Sequence, residues 1–176
     1  MSGADAEDAA RIGETSIEHD DTNYVGAVYG SLLAASVVAG TSPRDGAPSL
    51  HELVILLLVT GLVFWAAHVY ARLIGERVTQ GEPVTWAEVS RVARHEWPLV
   101  EAAIVPCLVA AVLTVFGGSP VAAAWGALIT AIAGQVTWAV GATVRAGAPR
   151  RLVVLSAVTN LALGLVLVVL KASLTH

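Results

Sequence analysis

The chain has 176 residues, of which 56% are hydrophobic and only 14% charged, and its formal net charge is −4. Soluble domains average roughly 45–50% apolar and about 25% charged residues, so this composition excludes an ordinary soluble protein and predicts an integral membrane protein. The single cysteine, Cys107, excludes a disulfide within one chain. Arginine outnumbers lysine nine to one and alanine, valine and glycine are abundant, a bias that suggests a bacterial source.

The first 23 residues form an acidic segment that contains seven acidic residues against Arg11 alone. Low hydrophobicity and mutual repulsion between these charges predict a disordered tail. The segment has no basic n-region of the kind that signal peptides carry, so we expect no cleavage.

Residues 24–174 are predicted to form one polytopic transmembrane domain, because five apolar segments reach the roughly 17 to 25 residues that a spanning helix needs. These segments are residues 24–40, 53–72, 98–116, 121–144 and 152–170. The short breakers GGSP and AGAPR make the last three segments antiparallel neighbours. The fold class is therefore all-α, a bundle of about five transmembrane helices. The first segment is short and rich in alanine, glycine and serine, so four spans with an interfacial first helix remain an alternative.

The arginines predict the orientation of these spans. They concentrate in the second and fourth loops with their flanks, at Arg72, Arg77, Arg91, Arg94, Arg145, Arg150 and Arg151. The first loop has Arg44 alone and the third has no basic residue. Since an excess of positive charge marks cytoplasmic loops, we expect the N-terminal tail inside a bacterial plasma membrane, and Lys171 and His176 outside.

Small residues spaced four apart run along two of the segments: Gly26, Gly30 and Ala34, and Gly126, Thr130 and Gly134. Helices in lipid associate through close approach at such rows. The rows predict ordinary packing within one chain, and self-association through the first segment is the alternative.

Two amides are predicted to meet near the middle of the membrane. Gln135 precedes the centre of the AGAPR loop by thirteen residues and Asn160 follows it by twelve, so both lie at nearly the same depth of an antiparallel pair. We interpret them as an interhelical amide clamp. The alternative is that they line a water-filled path.

The second loop contains a predicted interfacial helix over residues 86–96. Its start, TWAE at residues 85–88, fits a capping box. Trp86, Val89 and Trp97 fall on one face of this helix, which is typical of a helix in the headgroup plane. It is interpreted as a linker that orients the third span, and a lipid-docking or partner-docking helix is the alternative.

Ionisable residues cluster at the predicted cytoplasmic side. His68, Arg72 and Glu76 are four residues apart at the end of the second segment, and Glu101 lies at a similar depth in the third. A charge in hydrocarbon is costly and normally pairs or faces the bundle interior, so Glu101 is predicted to pair with His68 or Arg72, with Arg145 as a third candidate.

Three hypotheses for this cluster stay open: an anchoring network, a proton or ion pathway, and a metal or catalytic site that uses His68, His95, Glu96 and Glu101. No metal-ligand spacing, phosphate loop or nucleophile motif is present in the sequence. We therefore expect no enzymatic activity, no cofactor, no bound metal and no nucleic-acid partner.

The sequence thus predicts a non-enzymatic accessory or structural membrane subunit. Its surroundings are the lipid bilayer, and its partners are further copies of itself or a larger membrane complex. The alternative is a homo-oligomeric channel or small transporter in which Glu101 and His68 gate or relay protons or cations.

Overall fold

The computed structural model describes residues 24–41, 47–78 and 85–174, and the acidic tail 1–23 and His176 lie outside these ranges. The described chain is all-helical and contains no strand. Its helices are α1 (Tyr24–Gly40), α2 (Leu50–Val78), α3 (Trp86–His95), α4 (Pro98–Glu101), α5 (Ile104–Val115), α6 (Pro120–Arg145) and α7 (Arg150–Leu174).

Four stretches are long and apolar enough to cross a membrane: Leu50–Gly75, Trp86–Val115, Pro120–Arg145 and Arg150–Ser173. Three of them contain a predicted span, and Trp86–Val115 covers all of the predicted span 98–116 but its last residue. The remaining predicted span, Tyr24–Gly40, is shorter and is about 25 Å long at 1.5 Å per residue. The prediction of an all-helical chain with several apolar helices is confirmed.

The second of these stretches, Trp86–Val115, is interrupted where prolines remove backbone donors. Helix α4 begins at Pro98 and ends at Glu101, Ala102 and Ala103 belong to neither helix, and α5 begins at Ile104. Pro106 has no N–H with which to bond the carbonyl of Ala102, four residues earlier, and this missing bond weakens the helix at the interruption. The predicted span 98–116 is thus two helices, α4 and α5, rather than one.

The helices α5, α6 and α7 follow one another as antiparallel neighbours, as predicted. Gly117 and Gly147 end α5 and α6 with φ of 83° and 66°, a left-handed conformation that glycine adopts without strain. In each turn an amide bonds back to a carbonyl five residues earlier, Gly118 to Leu113 and Ala148 to Thr143.

The helix α1 lies inside the bundle rather than across its end. The Tyr24 ring is 5.2 Å from the Arg145 guanidinium carbon, while the Val38 carbonyl accepts a hydrogen bond from Lys171. Arg145 and Lys171 lie at opposite ends of the antiparallel α6–α7 pair, so α1 runs the length of that pair. Its Ala35, Val38 and Ala39 are fully buried.

The core around α1 is built mostly from alanine, with larger residues supplied by α2 and α6. Leu53 and Leu57 of α2 and Leu128 of α6 are at most 1% exposed, and Cys107 is a buried free thiol among them. Small side chains let helix axes approach closely, which is how helices gain packing contacts where lipid supplies no hydrophobic driving force.

Candidate functional site

At the end of the bundle predicted to face the cytoplasm, an ion pair and a tryptophan join α3 and its C-cap residue Glu96 to α2. Arg72 Nη1 lies 2.6 Å from Glu96 Oε1, and the Glu96 side chain is only 8% exposed. The Trp65 indole N–H donates to the Ala93 carbonyl at 2.8 Å, and its ring meets Trp97 edge-on at 5.6 Å. The predicted interfacial helix is therefore packed against α2. Its Thr85 cap accepts the Glu88 amide, as the capping box requires.

The predicted pairing of Glu101 with His68 or Arg72 is wrong, because Arg72 binds Glu96 instead. Val100 faces α2, where its Cα lies near Gly61. Glu101 comes one residue later, about 100° further round the helix, and is exposed on another side. Within the described parts of the chain, its carboxylate has no hydrogen bond or ion pair.

His68 contacts α1 rather than the third span. Its Nδ1 is 3.0 Å from the Phe64 carbonyl of its own helix, and its ring centroid is 5.2 Å from that of Tyr29. The Glu76 side chain lies outside the described residues. His68 thus joins α1 and α2 through ring packing, and the structure does not bring it together with Glu101.

Glu101 and Arg145 line the same cavity, which has a volume of about 740 Å³ between α1, the α4–α5 segment and α6. The Arg145 guanidinium lies over the Tyr24 ring, at a distance typical of a cation–π contact. Of the three partners predicted for Glu101, which are His68, Arg72 and Arg145, only Arg145 lines the same cavity.

The predicted amide contact is present. Gln135 Nε2 donates to Asn160 Oδ1 at 3.1 Å, and Asn160 Nδ2 donates to the Ser156 carbonyl. Gln135 is fully buried, and its Oε1 has no hydrogen-bond partner among the residues that the structure describes. Both amides border a second cavity of about 560 Å³ between α1, α6 and α7.

A double-mutant cycle should detect the amide clamp. Gln135→Leu and Asn160→Leu, singly and together, are expected to show a coupling free energy of about 0.6 to 2 kcal/mol, because each single variant leaves the other amide without its partner. The free energy of unfolding in detergent micelles is the quantity to measure. Strictly additive losses would mean that the contact contributes nothing.

The predicted small-residue rows differ sharply in how tightly they pack. A Cβ at Gly30 would overlap the backbone of Leu99 in the same chain, whereas one at Gly26 would make ordinary contact at 3.7 Å. At Gly134 the nearest atom would be Ser31 Oγ, at 3.4 Å, and at Gly126 a Cβ would meet the flexible end of Leu113. The α1 row therefore packs within the chain, against α4.

Lys171 makes buried contacts that the sequence did not predict. Its side chain is only 3% exposed, and its ammonium donates to the Val38 carbonyl at 2.8 Å and reaches the Thr41 carbonyl and hydroxyl at 3.4 and 3.3 Å. It thereby caps the carbonyl end of α1, where a positive charge is favourable. A lone lysine near the end of an apolar helix was the available signal.

Removing the partner of a buried carboxylate should destabilise the fold. Arg72→Gln is expected to lower the free energy of unfolding by about 2 kcal/mol, since Glu96 is left buried without its counter-charge while Arg72 itself is one-third exposed. Thermal unfolding in micelles measures the loss. Arg150→Gln, at an exposed arginine, is the matched control and should change little. Equal effects of the two variants would contradict a stabilising Arg72–Glu96 pair.

Across residues 24–41, 47–78 and 85–174, no three His, Cys, Asp or Glu side chains are grouped so that they could hold a metal ion. No protein-family model, curated protein or solved structure matches the chain. What the protein does has to be inferred from its own residues.

Proposed function

We propose that the chain is a multi-pass protein of the bacterial plasma membrane with five spans, an N-terminus inside and a C-terminus outside. Four long apolar helices and the passage of α1 along the full α6–α7 pair support five crossings. The arginines at the Arg72 and Arg145 end support the orientation. A reporter placed after residue 176 should be active outside the membrane, and cytoplasmic activity would refute this topology.

Within that membrane, the protein is a non-enzymatic accessory or structural subunit. The observation that carries this proposal is the use of the inner-face polar groups in helix contacts: Arg72 with Glu96, Trp65 with Ala93, and His68 with Tyr29. Groups held in this way stabilise the arrangement of α1, α2 and α3. They are not directed together at a common point, as a reacting centre requires.

The subunit proposal is tested by the mass of the protein extracted from its native membrane. Native mass spectrometry in a mild detergent should show species heavier than the 18.1 kDa monomer, either multiples of it or complexes with other chains. Extraction as the monomer alone, across several mild detergents, would contradict a subunit role.

The second candidate function is a homo-oligomeric channel or small transporter. One observation favours it: Glu101, with no partner in the described chain, lines a cavity that also contains Arg145. Because His68 is packed on Tyr29, a relay would use Glu101 without His68. Proton and cation flux into liposomes should then fall in Glu101→Gln and persist in His68→Ala. Background flux in the wild type and both variants would exclude transport.

A further inference from the structure

The cavity beside Glu101 is an open crevice between α5 and α6. Near their hairpin the two helices are in close contact, since Gly126 and Gly118 both lie against Leu113. Further along, where α5 begins, the space of about 740 Å³ separates them and α1 forms its back wall. Val105 and Trp138 border this space and are 56% and 45% exposed. The crevice therefore opens sideways, toward the surroundings of the bundle.

The walls of the crevice are apolar, and most of their polar groups are already engaged. The hydroxyls of Ser31, Thr130 and Thr137 each donate to a carbonyl of their own helix. The guanidinium of Arg145 lies over Tyr24. The Glu101 carboxylate is left as the charged group that has no hydrogen bond, ion pair or ring contact within the described chain.

The surroundings of Glu101 add further negative potential. Ala102 and Pro106 line the crevice beside it, and Pro106 cannot donate to the Ala102 carbonyl. Trp138 contributes an exposed aromatic ring, whose face attracts cations. Arg145 is seven residues beyond Trp138, about 10 Å further along α6, and so lies toward the end of the crevice, where Tyr24 holds it.

A carboxylate beside apolar walls in a membrane protein is normally paired with a cationic group. The volume falls within the range of about 300 to 1,000 Å³ that small-molecule sites occupy. We infer that the crevice binds an amphiphilic organic cation, a quaternary ammonium, phosphonium or protonated amine with apolar substituents. The cationic centre lies at Glu101 and the apolar groups lie between α5 and α6. This site does not depend on whether the protein is a subunit or a transporter.

Two probes of matched shape and opposite charge test this site: tetraphenylphosphonium and tetraphenylborate. Equilibrium dialysis with the full chain in nonionic micelles should show saturable binding of the phosphonium and only micelle partitioning of the borate. Glu101→Gln should weaken phosphonium binding about 10-fold or more, the effect of losing one charge-assisted contact. Glu52→Gln is the matched control, because Glu52 is an exposed acid that bonds Ser49 at the start of α2. It should bind like the wild type.

A second variant tests the crevice without changing its charge. Ala133 is exposed on the crevice wall, so Ala133→Phe is expected to fold, to fill the space and to weaken phosphonium binding. Unchanged phosphonium affinity in a folded Glu101→Gln would overturn the inference, as would borate binding as tight as that of the phosphonium. If the Glu101→Gln variant does not fold, an Ala133→Phe variant that binds the phosphonium as tightly as the wild type overturns the inference.

Discussion

Replacing Gly30 with valine is expected to lower the free energy of unfolding by about 3 kcal/mol or more, and replacing it with alanine by about 2 kcal/mol. A Cβ at Gly30 would overlap the Leu99 carbonyl and lie 2.9 Å from both Leu99 Cα and Ala102 Cβ. Two of these three atoms are backbone, which cannot move aside as a side-chain tip can. The axes of α1 and α4 would have to separate. Unfolding in micelles, followed by helical circular dichroism, measures the loss.

Two other glycines provide the controls for this prediction. A Cβ at Gly75, within α2, would meet nothing within 4 Å, and one at Gly26 would meet Leu99 N at an ordinary 3.7 Å. Since alanine favours a helix over glycine by about 1 kcal/mol, Gly75→Ala should be neutral or stabilising, and Gly26→Ala close to neutral. A Gly30→Ala variant as stable as these two would show that α1 and α4 are not in close contact.

Truncating Lys171 to alanine is expected to cost about 3 kcal/mol. The substitution removes a buried aliphatic stem, and it also leaves the carbonyl of Val38 without its ammonium donor. Lys171→Met separates the two contributions, because methionine keeps most of the stem and loses the charge. We expect it to recover about half of the loss.

Arg151→Ala is the matched control, because Arg151 is an exposed cation at the opposite end of the same helix. It should change the free energy of unfolding by less than about 0.5 kcal/mol. Wild-type stability in Lys171→Met would mean that the ammonium does not cap α1, and that only the stem contributes.

The sequence alone was sufficient to predict contacts between two helices that a short turn holds in a fixed register. Gln135 and Asn160 could be placed opposite each other by counting from the turn near Ala148, and the structure contains their hydrogen bond. The long apolar helices themselves were predicted from segment length and apolar content, because the bilayer sets the length that a spanning helix needs.

Contacts across long connections could not be predicted in the same way. The connection between α2 and α4, which contains α3, fixes neither the depth nor the rotation of Glu101, and this residue lines a cavity that α6 also borders. Lys171 binds a carbonyl 133 residues away, so no local spacing indicates the contact. The glycine rows showed which helices could approach closely, but only the packed structure shows that Gly30 touches a neighbouring backbone and Gly26 does not.

The cap that Lys171 places on α1 has a consequence for biosynthesis. The carbonyls of Val38 and Thr41 receive their donor from a residue made about 130 positions later, on the order of ten seconds at common elongation rates. The α5–α6 and α6–α7 hairpins can pair as each helix emerges from the ribosome. The contact between the end of α1 and Lys171, in contrast, cannot form until α7 has been synthesised, so it forms late in assembly. A nascent chain stalled before Lys171 should therefore leave the carbonyls of Val38 and Thr41 without this ammonium donor.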